Sequence, residues 1–334
     1  MAIQIIYVYF DLLGPFPGWE LRTAFLLRDL GHRVMTVPLH RRPLMFHPQT
    51  SNFDVVYASN AVAAPLGAAL AEATNKPLVI QFLDCPLDPE LQNFIPTIQG
   101  STEMGDRRFF NAVDKRLWKK PVDMEPRIAE WELIKKITKK AAGTTAISKA
   151  SADTIKKCVD IDIQKINWLG ADAEIADEAG DQLPKKRVGY VGSTRPHKCV
   201  EELVFGLCLL PEQPEFYAIL EDTPDFDKWA EMKSCLVGAT MSAWEGFGLG
   251  PVEWGYVKRA CICRSVPSQK EVMKDKAIYV TGPTELAAWV RQFLDNPDYA
   301  LRKGQEAYEH IINNKLTLKD HAIRIVEYLE EILH

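Results

Sequence analysis

Short apolar runs alternate with stretches of helical spacing along this chain, and the alternation starts afresh at Arg187. That repeated order constrains the fold more than any other feature. A strand followed by a helix returns the chain in the same direction, so a run of such units builds a parallel, doubly wound α/β sheet. In the first half, strands are predicted at 3–10, 34–37, 54–58, 77–82, 143–147 and 166–169. Helices fill 19–30, an Ala-rich run to Ala73, 130–141 and the stretch that Ser148 caps. In the second half, strands at 187–192, 215–220, 239–242, 260–263 and 277–280 alternate with helices at 200–210 and 225–234. Two long helical stretches close the chain. Both halves therefore read as Rossmann-like domains.

With 334 residues the chain is long enough to bury two cores. The first domain is expected over 1–173 and the second over 187–315. Between them, 174–186 is acidic, contains glycine and has few large apolar side chains, the composition of a linker. Residues 86–130 are rich in proline, polar and aromatic residues and are expected to be irregular.

A formal net charge of −5 gives no support to broad nucleic-acid binding. The seven cysteines include no C-x-x-C pair and no Cys/His cluster of metal-site spacing, so reduced thiols are expected. Cys261 and Cys263 fall on one face of a core strand. The opening MAIQIIYVYF lacks a basic leader and reads as a buried strand. No apolar run approaches the ~20 residues that span a bilayer. A soluble, cytoplasmic protein is expected.

Candidate chemistry concentrates in 241–272, MSAWEGFGLGPVEWGYVKRACICRSVPSQKEV. Glu245 and Glu253 are joined there by GFGLGPV. The glycines, Gly248 among them, point to a backbone that a ligand approaches closely. Pro251 fits the first turn of a helix, which sets Glu245 on a loop and Glu253 in that first turn. Backbone N–H groups at Gly248 and Leu249 would face an anion flanked by hydroxyl groups. A second segment, VGSTRPHK, ends a strand at Gly192 and brings Arg195 and Lys198 to the start of the next helix. A third, GPFPG, runs from Gly14 to Gly18 ahead of the first helix. GHRV follows that helix, with Gly31 as its stop and His32 as a turn residue.

The string E-G-F-G-L-x-P-x-E, followed by the strand-like ACIC and a loop ending in E-V, resembles the donor-site signature of the retaining glycosyltransferases of family 4, which have the GT-B fold. The order of segments agrees along nearly the whole chain, and the motifs are specific in 188–272. The resemblance implies two Rossmann-like domains facing a cleft, with closure about the linker and a final helix, 316–334, packed back on the first domain. It implies transfer of a sugar, a hexose, from a UDP- or GDP-linked donor with retention at the anomeric carbon. No further cofactor and no metal ion are implied.

Carried over residue by residue, Glu253 binds the ribose hydroxyls of the donor and Glu245 contacts the transferred sugar. Gly248 and Leu249 assist through their N–H groups. Lys198 and Arg195 stabilise the departing nucleoside diphosphate. Gly192 ends the strand before that cationic loop, and spacing leaves either Gly14 or Gly18 as the phosphate-facing glycine of the first domain. The acceptor stays open among a glycan, a lipid and a small molecule, and no nucleic acid is implied. Residues 86–130, with Arg107, Arg108 and Arg116, would shape the acceptor site, meet a membrane surface peripherally or form a solvated insertion.

Some residues depart from the family pattern. Ser193 stands where the family has arginine, Cys199 where it has glycine, and Leu83, beside Asp84, where it often has histidine. The stretch from Tyr217 to Trp244 is short for the family, by about one strand–helix unit. Two other readings therefore stand beside the transferase: a degenerate GT-B protein that binds a nucleotide sugar or a partner, and a GT-B nucleotide-sugar epimerase. An oxidoreductase is disfavoured because no G-x-G-x-x-G follows the first strand. Asp160-Ile161-Asp162 has the letters of a metal motif but lies between a helix and a strand and reads as a turn.

Overall fold

The computed structural model describes residues 2–10, 18–39, 52–83, 124–220 and 223–334. Gly14, Asp84, Arg107, Arg108 and Arg116 lie outside them. Two units divide the chain: one draws on residues up to Cys85, on 125–172 and on 316–334, and the other holds 173–315.

The strands of the first unit are β1 (Gln4–Tyr9), β2 (Arg33–Pro38), β3 (Val55–Ala58), β4 (Leu78–Phe82), β5 (Gly143–Ala146) and β6 (Lys165–Ile166). They lie in the order β2-β1-β3-β4-β5-β6, and every neighbouring pair is parallel. β3 and β4 are buried at every position, which is why they read as mostly apolar runs, broken in β4 by Gln81, instead of alternating ones. Helices α1 (Trp19–Asp29), α2 (Ala64–Thr74), α3 (Met124–Thr138) and α4 (Lys149–Val159) connect them. Gly31, at φ 90°, ends α1, and its N–H donates to Arg28 O. His32 is a turn residue whose Nδ1 accepts from Ile3 N at 3.1 Å. Ser148 caps α4 by accepting from Ser151 N.

The second unit is a five-stranded sheet of β7 (Lys185–Val191), β8 (Glu215–Ile219), β9 (Cys235–Thr240), β10 (Ala260–Arg264) and β11 (Ile278–Val280). The order is β11-β10-β9-β7-β8, again parallel throughout. Its helices are α5 (Ala173–Glu178), α6 (Val200–Cys208), α7 (Asp225–Ser234), α8 (Leu249–Tyr256), α9 (Pro267–Met273), α10 (Pro283–Asp295) and α11 (Pro297–Asn313). β9 begins at Cys235, not at 239 as predicted. The strand is buried on both faces and so shows no alternation, and Gly238 interrupts its apolar run. Cys261 and Cys263 are both buried on β10, and burial raises the Cys261 thiol pKa. Residues 174–182, expected within the linker, are fastened to the second unit. Lys233 Nζ donates to Ala176 O at 2.6 Å and Gly180 O at 2.8 Å, and Arg259 donates to Gln182 O at 3.1 Å.

One glycine pair decides where α8 sits. Gly189 and Gly238 face each other in register on β7 and β9. A Cβ on Gly189 would stand 2.3 Å from Trp254 Cη2, and one on Gly238 2.2 Å from Trp254 Cδ2. The two bare backbones form a slot, the buried indole of Trp254 fills it, and α8 is thereby seated on the middle of the sheet.

The last helix, α12 (Leu318–Leu333), belongs to the first unit. Leu318, Ala322, Ile325 and Leu329 share a core with Ile5, Tyr7, Leu27 and Val55. The buried His321 ring donates from Nδ1 to Trp168 O at 3.0 Å.

Candidate functional site

In the second sheet β7 has β8 on one side and β9 on the other, so the chain order reverses between β7 and β9. Open α/β sheets bind ligands beyond the carboxyl ends of their strands at such a reversal. Two loops meet there. The loop after β7 carries Gly192, Ser193 and Arg195, then a short 3-10 turn, Pro196–Lys198. The loop after β9 carries Glu245. Ala243 N donates to His197 O at 2.8 Å and stitches the two together.

Across this seam Lys198 Nζ donates to Glu245 Oε1 at 2.6 Å. The side chains keep 21% and 16% exposure, enough for a ligand to reach both. Ser268 Oγ donates to Glu245 O at 2.6 Å and holds the loop from its other side. His197 lies edge-on to Trp244, with ring centroids 6.4 Å apart. Burial first, then the Lys198 charge, lowers the His197 pKa to about 4, so the ring is neutral near pH 7. The cations of the loop are therefore lysine and arginine. Gly192, at φ 138°, ends β7 with its N–H on Ile219 O. Ser193 is buried, and its carbonyl accepts from Tyr190 Oη. Arg195 is exposed, with its carbonyl accepting Lys198 N at 2.9 Å. Cys199 sits at the N-cap of α6 with φ 47°, the left-handed backbone that glycine adopts most freely.

The glutamate motif folds with one departure from expectation. α8 starts at Leu249, because Gly248, at φ 88°, turns the chain into the helix two residues ahead of Pro251. Glu253 therefore lies one position past the first turn. A Cβ on Gly248 would stand 2.4 Å from Gln269 Cγ, so only glycine fits both the angle and the space. No side chain caps the N-terminus of α8, which leaves the first-turn N–H dipoles without a side-chain partner. Glu253 is buried and paired with Lys228, whose Nζ donates to its Oε1 at 2.5 Å.

The structure thus brings Lys198 and Glu245 together, places Gly192, Arg195 and Gly248 on the same two loops and sets Leu249 at the first position of α8. Glu253 follows on α8. Lys228, on the helix after β8, pairs with a candidate residue, and sequence reasoning missed it. No motif marks it; the only signal is that β8 neighbours β7, which brings the following helix beside the same strand ends. Gln269 was missed too. It is fully buried under Gly248, and neither its Nε2 nor its Oε1 has a hydrogen-bond partner.

In the first unit the order reverses between β1 and β3. There Glu20 Oε1 accepts from Ser59 Oγ at 2.7 Å and from Asn60 Nδ2 at 2.6 Å, and all three residues are buried. Gly18 is the N-cap of α1 at φ −62°, with open space where a Cβ would stand. Nothing in that backbone requires glycine. Leu83 follows β4, and its carbonyl accepts from Ser151 Oγ at 2.6 Å. Asp160 is the left-handed C-cap of α4, and Lys156 pairs with both Asp160 and Asp162, so this stretch is a turn. Among the described residues no three of His, Cys, Asp and Glu are grouped to hold a metal ion. No helix among them is long and apolar enough to cross a membrane.

No protein-family model matches the chain, and no curated protein matches it in sequence. Solved structures do match it. Sucrose-phosphate synthase from Thermosynechococcus elongatus superposes with a TM-score of 0.71 at 12% identity, covering 98% of this chain and 99% of that one. HepE of Anabaena, in complex with UDP and glucose, gives 0.71 at 14% identity, covering 98% and 100%. The catalytic domain of starch synthase IV from Arabidopsis thaliana, bound to ADP and acarbose, gives 0.59 at 10% identity and covers both chains in full, 100% each. With its two parallel-sheet α/β units, the chain has the GT-B fold of these glycosyltransferases.

Proposed function

We propose that the chain is a retaining glycosyltransferase of the family-4 type. It moves a hexose from a UDP- or GDP-linked donor to a glycan, lipid or small-molecule hydroxyl without a metal ion. The observation that carries this reading is the Lys198–Glu245 pair, 2.6 Å apart, at the strand-order reversal of the second sheet. The neighbouring structures add weight: HepE is described with UDP-glucose and starch synthase IV with ADP.

In this reading the diphosphate lies over the uncapped start of α8 and beside Lys198 and Arg195. Gly248 and Leu249 offer N–H groups to it. As the bond from the anomeric carbon to the phosphate oxygen breaks, negative charge builds on the leaving nucleoside diphosphate, and Lys198 and Arg195 stabilise it. The acceptor hydroxyl oxygen bonds the anomeric carbon on the face that the diphosphate leaves, and its proton passes to the departing diphosphate oxygen. Glu245 accepts from hydroxyls of the transferred sugar. Lys198 holds that carboxylate and so ties the position of the sugar to that of the leaving group. Glu253 accepts from the ribose hydroxyls. The protein works in the cytoplasm, with 86–130 available for the acceptor or a membrane surface.

Leu83 and Ser193 favour a second reading, a degenerate protein that binds the nucleotide sugar and transfers nothing. Incubation with UDP-glucose and GDP-hexoses in EDTA, followed by proton NMR of the anomeric signal, decides between them. The transferase releases nucleoside diphosphate and yields a product of retained configuration. Nucleotide binding without release in any donor and acceptor mixture supports the degenerate protein, and an inverted product rejects the retaining mechanism.

A further inference from the structure

Lys228 is out of place by the rules of its own helix. It is the fourth residue of α7, whose first turn holds Asp225 and Asp227. The positive end of a helix dipole favours those acids and disfavours a cation. The ammonium is instead committed to another element. It donates to Glu253 Oε1 on α8 at 2.5 Å and lies 4.8 Å from the centroid of the Trp229 ring. Trp229 is itself buried and edge-on to Tyr256 of α8, with ring centroids 6.4 Å apart. The lysine is therefore fixed between two helices that pack through aromatic rings.

Glu253 is 6% exposed. A carboxylate buried to that degree keeps its charge only with a partner, and an unpartnered one is strongly disfavoured. To accept from two neighbouring hydroxyls it must also present its oxygens in a fixed plane. Lys228 meets both needs. Lys198 with Glu245 and Lys228 with Glu253 are thus two Lys–Glu pairs that each join different elements of the second unit.

We propose that Lys228 is a positioning residue for donor recognition: it holds the Glu253 carboxylate charged and oriented to take the ribose hydroxyls. This inference rests on the donor-site reading given above. It makes Lys228 responsible for the preference for ribose over deoxyribose, not for phosphate affinity, which belongs to the loop of Lys198.

Calorimetric titration of UDP, 2′-deoxy-UDP, GDP and 2′-deoxy-GDP in EDTA tests it. The proteins compared are the wild type, Lys228→Met, Glu253→Gln and the double variant. The wild type is expected to prefer the ribonucleotide by about tenfold, the worth of a hydrogen bond to a charged group. Lys228→Met reduces that preference to about threefold or less and leaves the deoxynucleotide affinity nearly unchanged. In the Glu253→Gln background, Lys228→Met changes the preference no further, because both act through one carboxylate. The double variant removes both charges of the pair, so this comparison holds even where Lys228→Met alone fails to fold. Equal loss of ribo- and deoxynucleotide affinity, or a further drop in preference in the double variant, overturns the positioning role. A folded wild type that binds none of the four overturns the donor-site reading itself, and this inference with it.

Discussion

The indole of Trp254 lies so close to Gly238 that a Cβ on that glycine would stand 2.2 Å from its Cδ2. Glu253 precedes Trp254 on α8, so a shift of the indole moves the carboxylate as well. Gly238→Ala is expected to destabilise the protein by about 1–3 kcal/mol, the range for overpacking a tight core. Nucleotide affinity falls with it. Thermal melting reads the first effect and calorimetry the second; full affinity in a destabilised variant would uncouple the seat of α8 from the site.

Gly248 sets the other end of the same helix. Its φ is 88°, and a methyl group there would stand 2.4 Å from Gln269 Cγ, so alanine meets both strain and a clash. Gly248→Ala is expected to cost about 1–3 kcal/mol and to displace the N-terminal N–H groups of α8. A melting temperature within a degree of wild type, together with unchanged nucleotide binding, argues against that role.

In the proposed reaction, Lys198 is the residue that stabilises the leaving group. Lys198→Ala is expected to lower kcat by about 10²–10³-fold, as loss of one charge-stabilising group does in other enzymes, with a smaller rise in KM for the donor. Steady-state release of nucleoside diphosphate measures both. A change confined to KM assigns Lys198 to ground-state binding alone.

Acid sensitivity follows from two histidines. Burial lowers the His321 pKa to about 3 and the His197 pKa to about 4. In the unfolded chain both bind a proton near pH 6.5. From about pH 6.5 down to 4 the unfolded chain therefore binds protons that the folded chain does not. The stabilisation is fully present above about pH 6.5 and is lost as the pH falls, by up to about 1.4 kcal/mol per pH unit for each histidine. Melting curves from pH 7.5 to 5 are expected to steepen below 6.5 in the wild type and to flatten in His321→Gln. An unaltered slope in that variant means that His321 is not a source of the acid sensitivity.

The architecture is legible in the sequence because strand–helix alternation is a long-range pattern that survives local noise. The limits of single elements are less so. The first residues of β9 escape a pattern that expects alternation, because a strand covered on both faces has none. Pro251 looks like the helix start and so sets Glu253 too early, whereas Gly248 performs that turn. Lys198 and Glu245 stand in motifs; Lys228 does not, because its importance comes from a partner 25 residues away on another helix. Gln269 shows the same gap: its burial beneath Gly248 is a fact of packing, invisible in the local pattern SVPSQKEV.

If the reversal between β7 and β9 is a nucleotide-sugar site built on Lys198 and the glutamates, nucleotides must stabilise the fold through those residues. Thermal-shift measurements with UDP, GDP, ADP, TDP and CMP in EDTA, on wild type, Lys198→Ala and Glu253→Ala, test this most directly. The wild-type melting temperature is expected to rise with one nucleoside diphosphate, independent of magnesium, and to rise less in both variants. No shift with any nucleotide, or equal shifts in all three proteins, would contradict it.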